Sequence, residues 1–228
     1  MGAFESSDVG GTKVRMYVSG SFDPGAPGVV VLHAWWGLNE DVVAYVDRLA
    51  GDGFAVVAPD MFGGQVATTI EEADRLSTEV EGAADSQVEE IVLAAVDDLA
   101  NRLGPRARLG ILGFSFGAGY ALWSPAERDR LVASVVYYGS FTGSHLGRSS
   151  AAVLGNFAET DPYESEEGIT EFEEAVRTAG REIVIYRYPG TGHWFAEPSR
   201  DAYQPEAADL AFERTVEFLR RQLASPPV

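Results

Sequence analysis

The stretch Leu109-Gly110-Ile111-Leu112-Gly113-Phe114-Ser115-Phe116-Gly117-Ala118-Gly119 decides the fold. The residues leading into its centre, Ala107 to Leu112, are mostly apolar and short enough for a buried strand. Its continuation, Ala118 to Trp123, is small or apolar and suits a helix packed on a sheet. Between them stands Gly113-x-Ser115-x-Gly117, so the reading is strand, sharp turn, helix. A serine at the tip of such a turn takes a strained backbone with positive φ. Chain passes close on both sides, and the glycines two before and two after supply the missing bulk. The hydroxyl is left at the carboxyl end of the sheet, facing the first amides of the helix, where negative charge is favoured. The bland alternative is a glycine-rich turn whose serine only caps the helix.

Working outward, strands and helices alternate. Gly28–His33 (G-V-V-V-L-H) reads as a buried parallel strand, as does Phe54–Ala58, stopped by Pro59. Lys13–Val18 reads as a first strand near a sheet edge, with further strands at Leu131–Tyr138, Ala151–Phe157 and Glu182–Tyr188. Asn39 is placed to cap a helix whose apolar face is Val42, Val46 and Leu49, ended by Gly51 and Gly53. Helical spacing predicts further helices at Ile70–Ser77, Asp85–Leu103, Thr170–Ala179 and a closing one marked by Phe212, Val216, Leu219 and Leu223. The class is therefore α/β, with a mostly parallel sheet covered on both faces. We expect a single domain over residues 1–228 with a frayed tail at 225–228.

Composition narrows the function classes. The 228 residues carry 35 acidic and 17 basic side chains, a net charge of −18, with no basic patch, so nucleic acid is not an expected partner. No apolar run approaches the ~18 residues of a membrane span, and Met1–Lys13 does not read as a signal peptide, so a cytoplasmic location and no membrane partner are expected. With no cysteine, disulfides and thiolate metal sites are excluded. The histidines lie far apart without metal-ligand spacing, so no metal is expected. The sequence leaves the oligomeric state open.

Ligands bind open α/β sheets beyond the carboxyl ends of the strands. Loops of this kind hold Ser115, Asp161 in Ala158-Glu159-Thr160-Asp161-Pro162, and His193 in Gly190-Thr191-Gly192-His193-Trp194-Phe195. A serine hydroxyl is a weak nucleophile until a base takes its proton; histidine titrates in the right range, and a carboxylate fixes its tautomer. Of the other histidines, His33 ends a buried strand and reads as structural, and His145 reads as a solvated loop residue. Asp161 precedes Pro162 in a turn-initiating pair that favours an extended aspartate, and it is the expected acid. Glu159, two residues away, is its competitor, and a turn or cap role is the bland alternative for either. Phe116 follows the serine, and its amide with that of Trp35, or of Ala34, would form an oxyanion hole.

Trp35-Trp36-Gly37-Leu38-Asn39, Val57-Ala58-Pro59-Asp60, the serine turn, the Asp161 loop, Gly192-His193-Trp194-Phe195 and the Glu213–Leu219 helix together resemble the dienelactone hydrolase family of the α/β-hydrolase superfamily. The resemblance runs from about Gly28 to Leu223. It implies a fold without a large cap, a Ser115–Asp161–His193 triad, and oxyanion amides from Trp35 and Phe116. The chain departs from the best-known members, which use cysteine in the turn where Ser115 stands. They also place a glutamate at the position of Ala34. Their arginine for the substrate carboxylate lies four residues beyond the histidine, where this chain has Glu197, and Arg75 is the weak candidate for a second arginine.

The expected activity is hydrolysis of a small neutral ester or lactone through an acyl-serine, without cofactor. Acyl transfer to another acceptor and a catalytically weak ligand-binding module are the alternatives. The expected pocket is aromatic, drawn from Trp35, Trp36, Phe116, Trp194, Phe195, Tyr138 and Phe141 beside Ala34 and Glu197, with Phe114 as core. Glu197 would face the pocket and repel a substrate carboxylate, or turn outward to solvent.

Overall fold

A computed structural model describes residues 1–81 and 87–224. The expected tail at 225–228 and the first two residues of the helix expected from Asp85 lie outside the described residues. The strands are β1 (Ala3–Val9), β2 (Thr12–Ser19), β3 (Gly28–Leu32), β4 (Ala55–Pro59), β5 (Leu109–Phe114), β6 (Leu131–Tyr137), β7 (Ala152–Thr160) and β8 (Ile183–Gly192). The helices are α1 (Glu40–Gly51), α2 (Ile70–Glu81), α3 (Gln87–Leu103), α4 (Phe116–Trp123), α5 (Glu166–Thr178) and α6 (Pro205–Leu223). The strands form one eight-stranded sheet in the order β1-β2-β4-β3-β5-β6-β7-β8. Pairing is antiparallel at β1–β2 and β2–β4 and parallel from β4 through β8.

The β-branched runs occupy the sheet centre because parallel strands are buried on both faces. Val29, Val30, Val31 and Leu32 are each fully buried, and each such side chain contributes up to about 1.5–3 kcal/mol. Gly28 pairs with Leu109, and a Cβ on Gly28 would meet Leu99 and Leu103 of α3. The neighbouring pair is Val29 with Gly110, and a Cβ on Gly110 would meet Leu219 of α6. Since successive residues of a strand point to opposite faces, α3 and α6 cover opposite sides. Tyr45 of α1 packs edge-on to Phe212 of α6, so those two helices share a face. Ala118 and Leu122 of α4 cluster with Ile169, Phe172 and Val176 of α5 on the other.

Local signals explain the helix starts. Asn39 accepts from the Val42 amide at 3.2 Å, with Glu40 and Asp41 in the first turn of α1. Ser165 accepts from the Gly168 amide at 3.0 Å, so α5 begins a turn earlier than the expected Thr170. The sequence reading missed β1. That strand is largely exposed and carries no alternating apolar pattern, but it turns into β2 through Gly10 and Gly11 at φ +62° and +94°. A Gly-Gly pair just before the alternating Lys13–Val18 run is the hairpin signal that would have found it. Among the described residues no helix is long and apolar enough to cross a membrane.

Candidate active site

β5 leaves the sheet at Phe114, and Ser115 turns the chain into α4 at φ +44°, ψ −107°. The turn closes because the Ser115 amide donates to the Tyr137 carbonyl at 2.9 Å and the Ala118 amide donates to the Ser115 carbonyl at 2.8 Å. A Cβ on Gly113 would lie 2.2 Å from the Gly117 carbonyl oxygen, and one on Gly117 would lie 2.7 Å from the His33 carbonyl oxygen. Contacts that short leave no room for a methyl group at either position, which is why the elbow is written with glycines.

Strand register brings the other two side chains together. Thr160 of β7 pairs with Gly192 of β8, so Asp161 and His193 leave the sheet side by side. His193 Nδ1 donates to Asp161 Oδ2 at 2.7 Å, and Ser115 Oγ lies 3.0 Å from His193 Nε2. With the proton on Nδ1, Nε2 is the lone-pair nitrogen facing the hydroxyl. Asp161 Oδ1 accepts from the amides of Tyr163 at 2.9 Å and Glu164 at 3.2 Å, so both carboxylate oxygens are held. Glu159 does not touch the imidazole; its Oε2 accepts from the Gly190 amide at 2.8 Å.

Backbone strain concentrates here. Among the described residues the non-glycine positive-φ positions are Ser115, Tyr138 at +40° and Trp194 at +67°. Trp194 follows His193, and the buried Tyr138 ring packs 4.8 Å from the imidazole. Strain of this kind persists only where the surroundings over-determine it, and here it aims the imidazole and the hydroxyl at each other. The Trp35 and Phe116 amides donate to no acceptor among the described residues, and both residues border the same cavity.

That cavity has a volume of about 300 Å³ and is lined by Trp35, Ser115, Phe116, Phe141, Tyr163, Glu164, His193 and Trp194. The expected lining is corrected in large part. Trp194 borders the cavity, but Ala34, Trp36, Tyr138, Phe195 and Glu197 are buried away from its wall. Phe195 is packed instead against Tyr138 and Tyr188, and Glu197 is buried against the Tyr138 hydroxyl. Nearness in sequence to the histidine was therefore a poor guide to facing the cavity. Phe141, expected among the pocket aromatics, does border the cavity, whereas Tyr163 and Glu164 were not singled out; only their place in the loop after β7 marks them. Arg75 does not border the cavity either; it is exposed on α2 in an ion pair with Glu79.

His33 is structural, as its strand-end position suggested. Its Nδ1 donates to the Ala34 carbonyl at 2.8 Å and its Nε2 accepts from the Met61 amide at 3.1 Å. Burial pushes its pKa down to about 4, so the ring is neutral at pH 7. His145 differs from the expected solvated residue: it is half-buried, and its Nε2 has no partner.

Glu197 neither faces the cavity nor reaches solvent. It is buried with Oε1 accepting from the Tyr138 hydroxyl at 2.8 Å and Oε2 unpartnered. Burial pushes its pKa from the ordinary 4.5 up to about 8. Between those values the folded chain keeps a proton that the unfolded chain has lost, so stability is lost as pH rises through the window. The full loss is about 5 kcal/mol. Glu197→Gln should therefore be nearly neutral at pH 5 and raise stability by roughly 2–5 kcal/mol at pH 9. Urea unfolding at both pH values checks this, and an equal effect at both would show that Glu197 does not titrate as described.

A model of the dienelactone hydrolase family matches residues 14–223. "Protein usf" of Aquifex pyrophilus is 29% identical over 98% of this chain and all of its own length. A Bradyrhizobium protein named "Probable 2-oxo-3-(5-oxofuran-2-ylidene)propanoate lactonase" is 31% identical over 86% of this chain and 84% of its own. Among solved structures, a dienelactone hydrolase-like promiscuous phosphotriesterase from metagenomic libraries superposes with a TM-score of 0.82 at 21% identity. That superposition covers 98% of this chain and 99% of the other. The fold is that of the α/β-hydrolases, and no large cap domain covers the strand ends among the described residues.

Proposed function

This chain belongs to the dienelactone hydrolase family, and on that premise we propose that it hydrolyses small carboxylic esters or lactones through an acyl-Ser115 intermediate. The observation that carries the proposal is the continuous contact from Ser115 through His193 to Asp161 at the floor of an aromatic cavity.

In the scheme, His193 Nε2 takes the hydroxyl proton as Ser115 Oγ attacks the carbonyl carbon. Asp161 stabilises the imidazolium that forms, and the Phe116 and Trp35 amides receive the developing oxyanion. Collapse of the tetrahedral intermediate expels the alkoxide, which takes the proton from His193. Water then repeats the sequence on the acyl-serine, returning the acid and the free hydroxyl. No metal or organic cofactor enters these steps. A chromogenic short-chain ester tests the activity, and a serine-reactive phosphonate tests the intermediate, with Ser115 as the expected site of labelling.

The second part of the proposal is that carboxylate-bearing substrates are poor ones. The sequence comparison assigned this to Glu197, which is buried elsewhere; the support now comes from Glu164, which borders the cavity, and from the absence of Lys or Arg among its described lining residues. At ~6 Å and an effective dielectric near 20, two like charges repel by about 3 kcal/mol, less where water screens them. The 4-nitrophenyl ester of monomethyl adipate should exceed that of adipic acid in kcat/KM by roughly 10- to 100-fold. Equal kcat/KM for the pair would exclude this selectivity.

A further inference from the structure

Glu164 has no part in the proton path, yet it stands at the cavity wall with a fixed orientation. The Ser140 amide donates to its Oε2 at 2.9 Å, and the Ser140 hydroxyl donates to the same oxygen. Both bonds fall on Oε2, which leaves Oε1 for a ligand. The Glu164 amide in turn donates to Asp161 Oδ1, tying the carboxylate to the loop of the triad. The rest of the wall, apart from Ser115 and His193, is aromatic: Trp35, Phe116, Phe141, Tyr163 and Trp194.

These rings are grouped rather than scattered. The Tyr163 centroid lies 6.2 Å from Trp35, 5.6 Å from Trp194 and 4.8 Å from His193. The Trp35 indole is held in place by donating to Ser77 Oγ of α2 at 2.7 Å. Aromatic faces carry negative potential and attract cations, most strongly where water is displaced. Elsewhere this chain satisfies such faces with its own arginines, as where Arg200 sits 4.1 Å over Trp36 and Arg48 3.8 Å over Phe212. Among the described residues no arginine or lysine covers a cavity ring. A carboxylate beside aromatic rings that no arginine or lysine covers, with His193 engaged by Asp161 and Ser115 as the basic side chain of the lining, is the chemistry that recognises an organic cation.

We infer that the cavity selects esters carrying a permanent positive charge, with an alkylammonium group seated against Glu164 and the faces of Tyr163, Trp35 and Trp194 while the carbonyl lies at Ser115. The inference rests on the ester-hydrolase reading above and names its substrate class. A cavity of about 300 Å³ is at the small end of ligand pockets and suits a compact cation. Burial raises the Glu164 pKa from its ordinary 4.5, so the preference should weaken as pH falls and the carboxylate takes a proton.

Acetylcholine and 3,3-dimethylbutyl acetate test this directly, since they share the acyl group and differ in a quaternary nitrogen against a quaternary carbon. The cationic ester should have the higher kcat/KM by about tenfold or more. Added salt should lower that ratio, and Glu164→Gln should bring it close to one. Glu164→Gln removes only one charge from a chain at −18, so a ratio that survives the substitution would overturn the assignment. The wild-type ratio needs no variant to fold: a ratio of one or less, with the neutral ester turned over, overturns the inference and leaves the hydrolase reading intact. Phenyltrimethylammonium titrated against the tryptophan fluorescence of Ser115→Ala gives the independent arm. Binding weakened by adding Glu164→Gln, with neither ester turned over by wild type, would support the cation site and overturn the hydrolase reading. No binding and no turnover would overturn both.

Discussion

Ser115→Ala is expected to lower kcat for a chromogenic ester by about 10⁴ to 10⁶ while leaving the unfolding midpoint close to that of the parent. The size follows from what is removed. Without Oγ there is no acyl-enzyme, and only the cavity and the oxyanion amides remain to act on bound ester and water. The fold should survive because the turn is held by backbone bonds to Tyr137 and from Ala118, and the hydroxyl does not cap the helix. Phosphonate labelling gives the second readout: it should mark Ser115 in the parent and nothing in the variant. An alanine protein that keeps its activity, or labelling at another residue, would refute the assignment of the nucleophile.

Asp161→Asn is expected to cost roughly 10⁴ in kcat. The imidazole Nδ1 now donates to Asp161 Oδ2 at 2.7 Å. An asparagine offering its amide nitrogen there would favour the tautomer with the proton on Nε2, which cannot accept from Ser115. It would also remove the charge that stabilises the imidazolium. The two backbone amides on Oδ1, from Tyr163 and Glu164, would still be satisfied by an amide oxygen, so the loop should keep its shape. Glu159→Gln is the control, because Glu159 holds the Gly190 amide and makes no contact with the histidine. Its effect on kcat should stay within a few-fold. A large loss at Glu159 with a small one at Asp161 would reverse the two roles.

Much of this was legible in the sequence, because local rules govern it. The buried β-branched runs of β3 and β4, the Asn39 cap and the glycines around Ser115 each announce themselves within a few residues. The order of serine, aspartate and histidine, each in a loop after a strand, named three side chains that the structure brings into contact. The β1 strand escaped because an exposed edge strand needs no apolar alternation. The cavity lining escaped for a different reason. Trp194 borders the cavity and Phe195, the next residue, does not, because Phe195 packs into the core against Tyr138 and Tyr188.

By itself, then, the sequence determined the α/β layering, the strained serine turn and the candidate triad. Those properties come from hydrophobic periodicity, turn stereochemistry and strand-end position, all short-range along the chain. The tertiary structure supplied the contact itself, through the Thr160–Gly192 register that sets Asp161, the expected acid, beside His193. It also decided which carboxylate meets the ligand space. Glu197 stands four residues from the histidine yet is buried against Tyr138, while Glu164 comes from another loop and borders the cavity. Side-chain direction and contact between distant loops are set by how the elements pack, and no local pattern in the chain records them.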